Sequence, residues 1–339
     1  MRTATDALDT GRLIQWLAGP APDFDPSTAS VSLISGGRSN LTFEVTDGKC
    51  ALVVRRPPLG HVHAAAHDMR REFRAMVALA KTGVPVPEVI GYCDDRSVLG
   101  APFLVMRKSP GRIYRTDDDL GELDRVQGTL IAHALVDTLA NLHSAPWASI
   151  GLADFGRSSG YLDRQLRRWA AQLAGARERP LPGIDRLADL LAEHRPAPRP
   201  SVLVHGDYRL DNVLIGTGGE ITAVLDWEMS TIGDPLADVG TFCMYWDGFA
   251  DLGLSVPCSP GVRHGWPARE ELARRYTARS GNSLSDLGWY VAFGYYRIAV
   301  ILEGVHARHR RGLTAGSGFD GVGDAVPQIV ARGLEAWAE

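Results

Sequence analysis

The chain has 339 residues, 45% hydrophobic and 22% charged, a balance that excludes a disordered, collagen-like or coiled-coil protein and allows two domains of ordinary size. A formal net charge of −4 gives no whole-chain electrostatic case for a nucleic-acid partner. The cysteines, Cys50, Cys93, Cys243 and Cys258, stand too far apart for a zinc motif or a disulfide framework, so a reducing cytoplasm is the expected setting.

Met1 to Gly19 mixes acids and arginines without an apolar centre, unlike a signal peptide. Short apolar runs at Val31–Ile34, Leu41–Val45 and Ala51–Val54 are separated by the Ser35–Asn40 segment and by an Asp47-Gly48 turn signal, which predicts three antiparallel strands over 31–56. Helical spacing of Met69, Phe73, Met76 and Val77 predicts a helix over 68–81, ended by Gly83 and Pro85. Two more strands are expected at 86–90 and 102–106. Residues 1–107 thus read as a small β-rich lobe with one helix, and 108–339 as a larger, mostly helical lobe, with helices at 122–145, 160–177 and 184–194 and again beyond 235. The most apolar stretch, Trp289 to Val305, is broken by Arg297 and Glu303 and is too short and charged to cross a bilayer.

The informative segment runs Val202-Leu203-Val204-His205-Gly206-Asp207-Tyr208-Arg209-Leu210-Asp211-Asn212-Val213-Leu214-Ile215, followed by Ile221 to Glu228. A strand enters a loop bearing Asp207; Asn212 opens a second strand, and a third strand ends on Asp226. A hairpin of this kind gathers Asp207, Asn212 and Asp226 at one end. Phosphoryl transfer needs such a set: two oxygen ligands for a hard cation, and a carboxylate that orients the attacking hydroxyl. Any one of these residues alone reads as a turn former or loop cap; the whole spaced set does not.

His205-Gly206-Asp207-x-x-x-x-Asn212 with Asp226, then Gly233-Asp234-Pro235-Leu236-Ala237-Asp238, resembles the aminoglycoside phosphotransferase family, relatives of the protein and choline kinases. The resemblance implies an α+β, two-lobed protein-kinase-like fold and ATP- and Mg²⁺-dependent transfer to a small-molecule hydroxyl. By the same resemblance Asp207 is the catalytic carboxylate, and Asn212 and Asp226 hold Mg²⁺. Gly37 and Ser39 belong to the nucleotide loop. Arg55 stands where the family has a lysine, with Glu72 as its ion-pair partner. Met106 lies beside adenine, and backbone groups of Arg107 and Ser109 meet the adenine edge. Asp238 is expected to brace the catalytic loop.

Arg55-Arg56-Pro57-Pro58, Asp226-Trp227-Glu228-Met229 and Arg297 to Val305 resemble one branch, the kinase-like domains associated with acyl-CoA dehydrogenases. This implies a hydroxyacyl-CoA or related anionic metabolite as substrate and an acyl-CoA dehydrogenase in the same pathway. Charge points the same way. Arg297, Arg308, Arg310 and Arg311 face Glu303 alone in sequence, and Arg107, Lys108, Arg112 and Arg115 form a run without an acid, whereas polycationic drugs need carboxylate-lined sites. The rival readings are an aminoglycoside or macrolide phosphotransferase and a nucleotide-binding pseudokinase scaffold. No nucleic-acid or membrane partner is expected.

Overall fold

Alternating apolar residues and one tight turn build an antiparallel sheet from the first third of the chain. In the computed structural model, which describes residues 8–34, 40–57, 68–249, 252, 258–262, 265–313 and 321–338, this sheet has five strands in the order β1-β2-β3-β5-β4. They are β1 (Ser30–Leu33), β2 (Leu41–Thr46), β3 (Ala51–Arg56), β4 (Val89–Cys93) and β5 (Phe103–Arg107). The Asp47-Gly48 signal is the β2–β3 turn. The Asp47 carboxylate accepts from the N–H groups of Lys49 at 2.8 Å and Cys50 at 2.6 Å, and Gly48 takes φ 88°.

The apolar run Phe103-Leu104-Val105-Met106 is unbroken because β5 is central and covered on both faces. Phe103 and Val105 join Phe43, Val45, Leu52 and Val54 on one side, while Leu104 and Met106 join the main core on the other. The first face is closed by α1 (Thr10–Leu17), a helix not expected from the sequence, whose Leu13 and Leu17 are fully buried. The second face receives α2 (Met69–Leu79), capped by Asp68, which accepts from Arg71 N–H at 3.1 Å. A four-residue helix, α3 (Arg96–Leu99), precedes β5. The strand expected at 86–90 begins instead at Val89: Pro85 and Pro87 have no N–H to give a ladder, and the Pro85 carbonyl accepts from Val224 N–H.

The larger lobe holds α4 (Asp117–Gly121), α5 (Arg125–Ser144), α6 (Tyr161–Ala176), α7 (Ile184–Glu193), α8 (Pro235–Asp247), α9 (Arg269–Ser280), α10 (Leu287–Arg310) and α11 (Val322–Ala338). Helices α8 and α10 are apolar around most of their circumference because they pack on each other, with α11 also on α10. Four short strands lie on this helical body: β6 (Val202–Val204), β7 (Val213–Ile215), β8 (Ile221–Val224) and β9 (Thr231–Gly233). The expected hairpin is β7–β8, with Val213 opposite Val224. Strand β9, unforeseen, pairs with β6 and holds the entry to the His205 loop. None of the described helices is long and apolar enough to cross a membrane.

Candidate active site

The His205 loop is fixed from beneath by buried acids and rings. Asp238, on the first turn of α8, accepts from the backbone N–H of His205 at 2.6 Å and of Gly206 at 2.8 Å, and His143 Nε2 lies 3.3 Å away. Burial alone would raise the Asp238 pKa, but the hydrogen bond and charge interaction with His143 hold it below the ordinary value. Asp238 is thus the brace expected from the sequence. Asp234 caps α8 through Leu236 N–H at 3.0 Å and accepts from the Tyr290 hydroxyl at 2.7 Å. His205 is fully buried. Its Nδ1 accepts from Asp207 N–H at 3.2 Å, so its Nε2 carries the proton and donates to the Leu225 carbonyl at 2.8 Å. One imidazole therefore ties the Asp207 loop to the residue before Asp226.

Gly206 is required by backbone shape. Its φ is 86°, and a Cβ there would lie 2.6 Å from the Met229 carbonyl oxygen. Beyond it, the Asp207 carboxylate meets three donors: Asn212 Nδ2 at 3.1 Å, Arg209 Nε at 3.2 Å and Arg297 Nη2 at 3.5 Å. Asn212 Nδ2 also donates to the Asp207 carbonyl at 2.8 Å. With its nitrogen so engaged, the Asn212 amide oxygen is left as an acceptor with no donor among the described residues. Leu225 N–H donates to the Asn212 carbonyl at 2.8 Å, which draws the two strand ends together.

Asp226 has φ 65°, the only positive value at a non-glycine among the described residues. The left-handed turn presents its carboxylate to Arg55. The Arg55 fork spans the cleft, with Nη1 2.8 Å from Glu72 Oε2 and Nη2 2.7 Å from Asp226 Oδ1. The expected Arg55–Glu72 pair is thus formed, and Asp226 completes a three-member bridge from β3 and α2 to the larger lobe. Glu72, Asp226 and Glu228 offer carboxylate oxygens within 4.8 Å of one another. Burial and then the Asp226 charge raise Glu228; burial raises Glu72, with Arg55 opposing; Asp226 stays low because Arg55 outweighs its burial. Glu72 Oε1 is buried with no hydrogen-bond partner. This all-oxygen set, with an orphaned carboxylate oxygen beside it, fits a hard divalent cation. Sequence reasoning missed Glu228 as a member; its only signal was its place two residues after Asp226. Asn40 donates to Glu228 at 3.0 Å, so the end of the first turn also reaches the cleft.

The remaining expected residues divide. Gly37 and Ser39 lie outside the described residues. Met106 is buried in the main core, opposite Val53 and Val89. Arg107 N–H donates to the Glu88 carbonyl at 2.8 Å. Ser109 N–H has no backbone partner among the described residues. The acid-free cationic run is corrected: Arg107 pairs with Asp23 at 2.7 Å, Lys108 with Glu44 at 2.7 Å, and Arg112 with Asp119 at 2.8 Å and with Glu122. On α10, Glu303 is held by Arg179 at 2.7 Å and Arg311 pairs with Glu178, whereas Arg297 is buried against Asp207.

Residues 30–301 match the model of the phosphotransferase enzyme family, APH. The chain is 35% identical to acyl-CoA dehydrogenase family member 10 of Mus musculus over 316 residues, covering 91% of this chain but only 29% of that protein. It therefore spans less than a third of that relative's length. Among solved structures, a protein of Ralstonia eutropha JMP134 provisionally named an aminoglycoside phosphotransferase shares 32% identity, with a TM-score of 0.84 over 97% of this chain and 98% of its own. APH(4)-Ia, in a ternary complex with AMP-PNP and hygromycin B, has a TM-score of 0.64 at 18% identity, over 96% of this chain and 98% of its own. These likenesses establish the α+β, two-lobed kinase-like fold. Together with the match over most of its length, they make this chain a member of the phosphotransferase enzyme family.

Proposed function

We propose that the chain transfers the γ-phosphoryl group of ATP, with Mg²⁺, to a hydroxyl of a small anionic metabolite, a hydroxyacyl-CoA being the leading class. The observation that carries this reading is the Asp207 carboxylate held by Asn212 at 3.1 Å, across the cleft from the Arg55–Asp226 pair. In this reading the acceptor oxygen attacks the γ-phosphorus as its proton passes to Asp207, and ADP leaves with the bond it loses. Asn212 and Arg209 keep the Asp207 carboxylate oriented. Arg55, drawn toward phosphate oxygens, offers two N–H groups in a fork that a lysine lacks. The Asn212 amide oxygen and Asp226, with Glu228 beside them, would hold Mg²⁺, which when bound neutralises charge on the transferring group.

On this reading residues 1–107 form the nucleotide-binding lobe and 108–339 the catalytic and acceptor-binding lobe. Gly37, Ser39, Met106 and the backbone of Arg107 and Ser109 serve the nucleotide, Arg107 through its carbonyl alone. The name of the mouse relative supports an acyl-CoA-related acceptor and a dehydrogenase acting in the same pathway. No disulfide joins the four cysteines, in keeping with a reducing compartment. The name of the Ralstonia protein favours a second reading, phosphorylation of an antibiotic.

The test is incubation with ATP, Mg²⁺ and a panel of 3- and 4-hydroxyacyl-CoA, kanamycin and erythromycin, read by mass gain of one phosphate. Gain on the acyl-CoA compounds, abolished by Asp207→Ala, is the expected result. Gain on the drugs alone overturns the acceptor class. Silence across the panel, with no ATP hydrolysis, overturns the enzymatic reading in favour of a scaffold.

A further inference from the structure

Arg297 was legible only as one of several cations on an apolar helix. In the fold it is 7% exposed, and among the described residues its one ion-pair partner is Asp207, at a loose 3.5 Å. A buried guanidinium carries five N–H donors and is costly to leave with so few acceptors. The neighbouring Arg209 is fully engaged. Arg209 holds Asp207 and Asp211, at 3.2 and 3.1 Å, and lies 4.8 Å over the Tyr245 ring. The acid that follows on α10, Glu303, is taken by Arg179.

The ring of Trp169, on α6, lies 5.9 Å from the Arg297 guanidinium carbon and 5.1 Å from that of Arg168. Trp169 is 2% exposed, and its Nε1–H has no hydrogen-bond partner. Arg168 is exposed and has no acid partner among the described residues. The Tyr161 hydroxyl, about two turns before Arg168 and Trp169 on α6, likewise takes no hydrogen bond among the described residues. Each of these groups donates, and Arg297 links them to Asp207, the carboxylate the proposed reaction uses. Leaving a buried indole N–H unsatisfied costs free energy that a bound acceptor atom would remove.

We infer that Arg297, with the Trp169 Nε1–H and with Arg168 at its outer edge, forms the subsite that holds an oxyanion or carbonyl oxygen of the phosphoryl acceptor beside Asp207. The inference rests on the proposed hydroxyl transfer and deepens it. Because Arg297 touches the same carboxylate that takes the hydroxyl proton, the recognised oxygen lies only a few covalent bonds from the attacking hydroxyl. That is the chemistry of a hydroxy acid or a hydroxyacyl thioester. A polycation would meet guanidinium groups here instead of carboxylates.

The experiment follows the indole resonances of protein labelled with ¹⁵N at tryptophan, with Trp169→Phe identifying the Trp169 peak. The probes are 3-hydroxybutyrate, 3-hydroxybutyryl-CoA and 1,3-butanediol, the last keeping the hydroxyl but having no carboxyl oxygen. The free acid, the thioester or both should move the Trp169 peak saturably, which separates carboxylate from thioester as the source, and the diol should not. Arg297→Gln should weaken that response by at least about tenfold, the loss expected for one charged hydrogen bond. Arg297→Lys, which keeps the charge without the fork, should fall between and stands in if the glutamine variant does not fold.

An unmoved Trp169 peak, an equal response to the diol, or an unchanged affinity in both Arg297 variants overturns the subsite. Phosphate transfer is read in parallel on the same probes. A Trp169 response without transfer to any acceptor supports the subsite and overturns the catalytic reading, whereas transfer without a Trp169 response does the reverse.

Discussion

Asp238→Asn is the sharpest test of how the catalytic loop is held, because it removes a charge and adds only one amide group to a site with no spare room. Asp238 is 1% exposed and receives two backbone N–H groups at 2.6 and 2.8 Å, one on each carboxylate oxygen. An asparagine can present its oxygen to only one of them. The other N–H then faces an NH₂ donor and stays unsatisfied. Loss of one charge-assisted hydrogen bond costs about 1.5–3 kcal/mol, and the stranded N–H about 1–3 kcal/mol more. The expected total is roughly 2.5–6 kcal/mol, which brackets the about 3–5 kcal/mol of breaking a buried charged pair. Asp234→Asn, four residues earlier on the same helix, is the control. Asparagine caps a helix as well as aspartate, and the Tyr290 hydroxyl can rotate, so the expected cost is about 1 kcal/mol or less. Urea denaturation of both variants measures the difference through the midpoint at constant slope. Equal costs for the two variants, or less than about 1 kcal/mol for Asp238→Asn, would refute the bracing argument.

Asp207→Asn should lower turnover by about 10²–10⁴-fold, the range for loss of a general base, while the protein still binds nucleotide; steady-state kinetics and nucleotide titration check both. Gly206→Ala should destabilise by about 1–3 kcal/mol from its left-handed backbone alone, before the contact with the Met229 carbonyl is counted, and chemical denaturation reads it. Glu228 has a folded pKa pushed up to about 8 from 4.5 by burial and by Asp226. Its contribution to stability is therefore full below the ordinary value and lost as pH rises through the folded one. Without added cation the thermal midpoint should fall between about pH 4.5 and 8, and Glu228→Gln should flatten that slope; an identical slope in the variant would count against the cluster.

Local pattern carried the parts of the fold where one residue type has one job. The Asp47-Gly48 turn, the helix over 68–81 and the spacing from Asp207 to Asn212 were legible because turn chemistry and helical periodicity are decided within a few residues. Strand β9 was not legible, since three residues carry no periodicity and its partner β6 is distant in sequence. Helix α1 was missed because its eight residues give only two turns of pattern. Charge misled for a related reason. Arg107 and Asp23 are 84 residues apart, so three of the four cations in a run with no acid in sequence find acids in space. The burial of Arg297 beside Asp207 joins α10 to the His205 loop, a contact between segments about 90 residues apart that only the packing of α8 and α10 decides.

Arg55 and Arg297, the two arginines that meet cleft aspartates, share a logic that bears on why this chain uses arginine at position 55. Arg55 rests on Asp226 and Arg297 rests on Asp207, so in the empty cleft each cation is offset by a carboxylate that the proposed reaction needs for something else. On the proposed reaction Asp226 would be wanted by a metal cation and Asp207 by a hydroxyl proton. On that proposal, loading the cleft would exchange partners instead of creating charge. As the carboxylates turn to cation and hydroxyl, the guanidinium groups turn to phosphate and to the acceptor's oxygen. A lysine at position 55 would be a compact point charge, readily neutralised by burial. The arginine stays charged through the exchange and keeps one arm of its fork on Glu72 while the other is released. The fork therefore preserves the bridge between α2 and β3 at the moment its second contact, to the larger lobe, is given to the substrate.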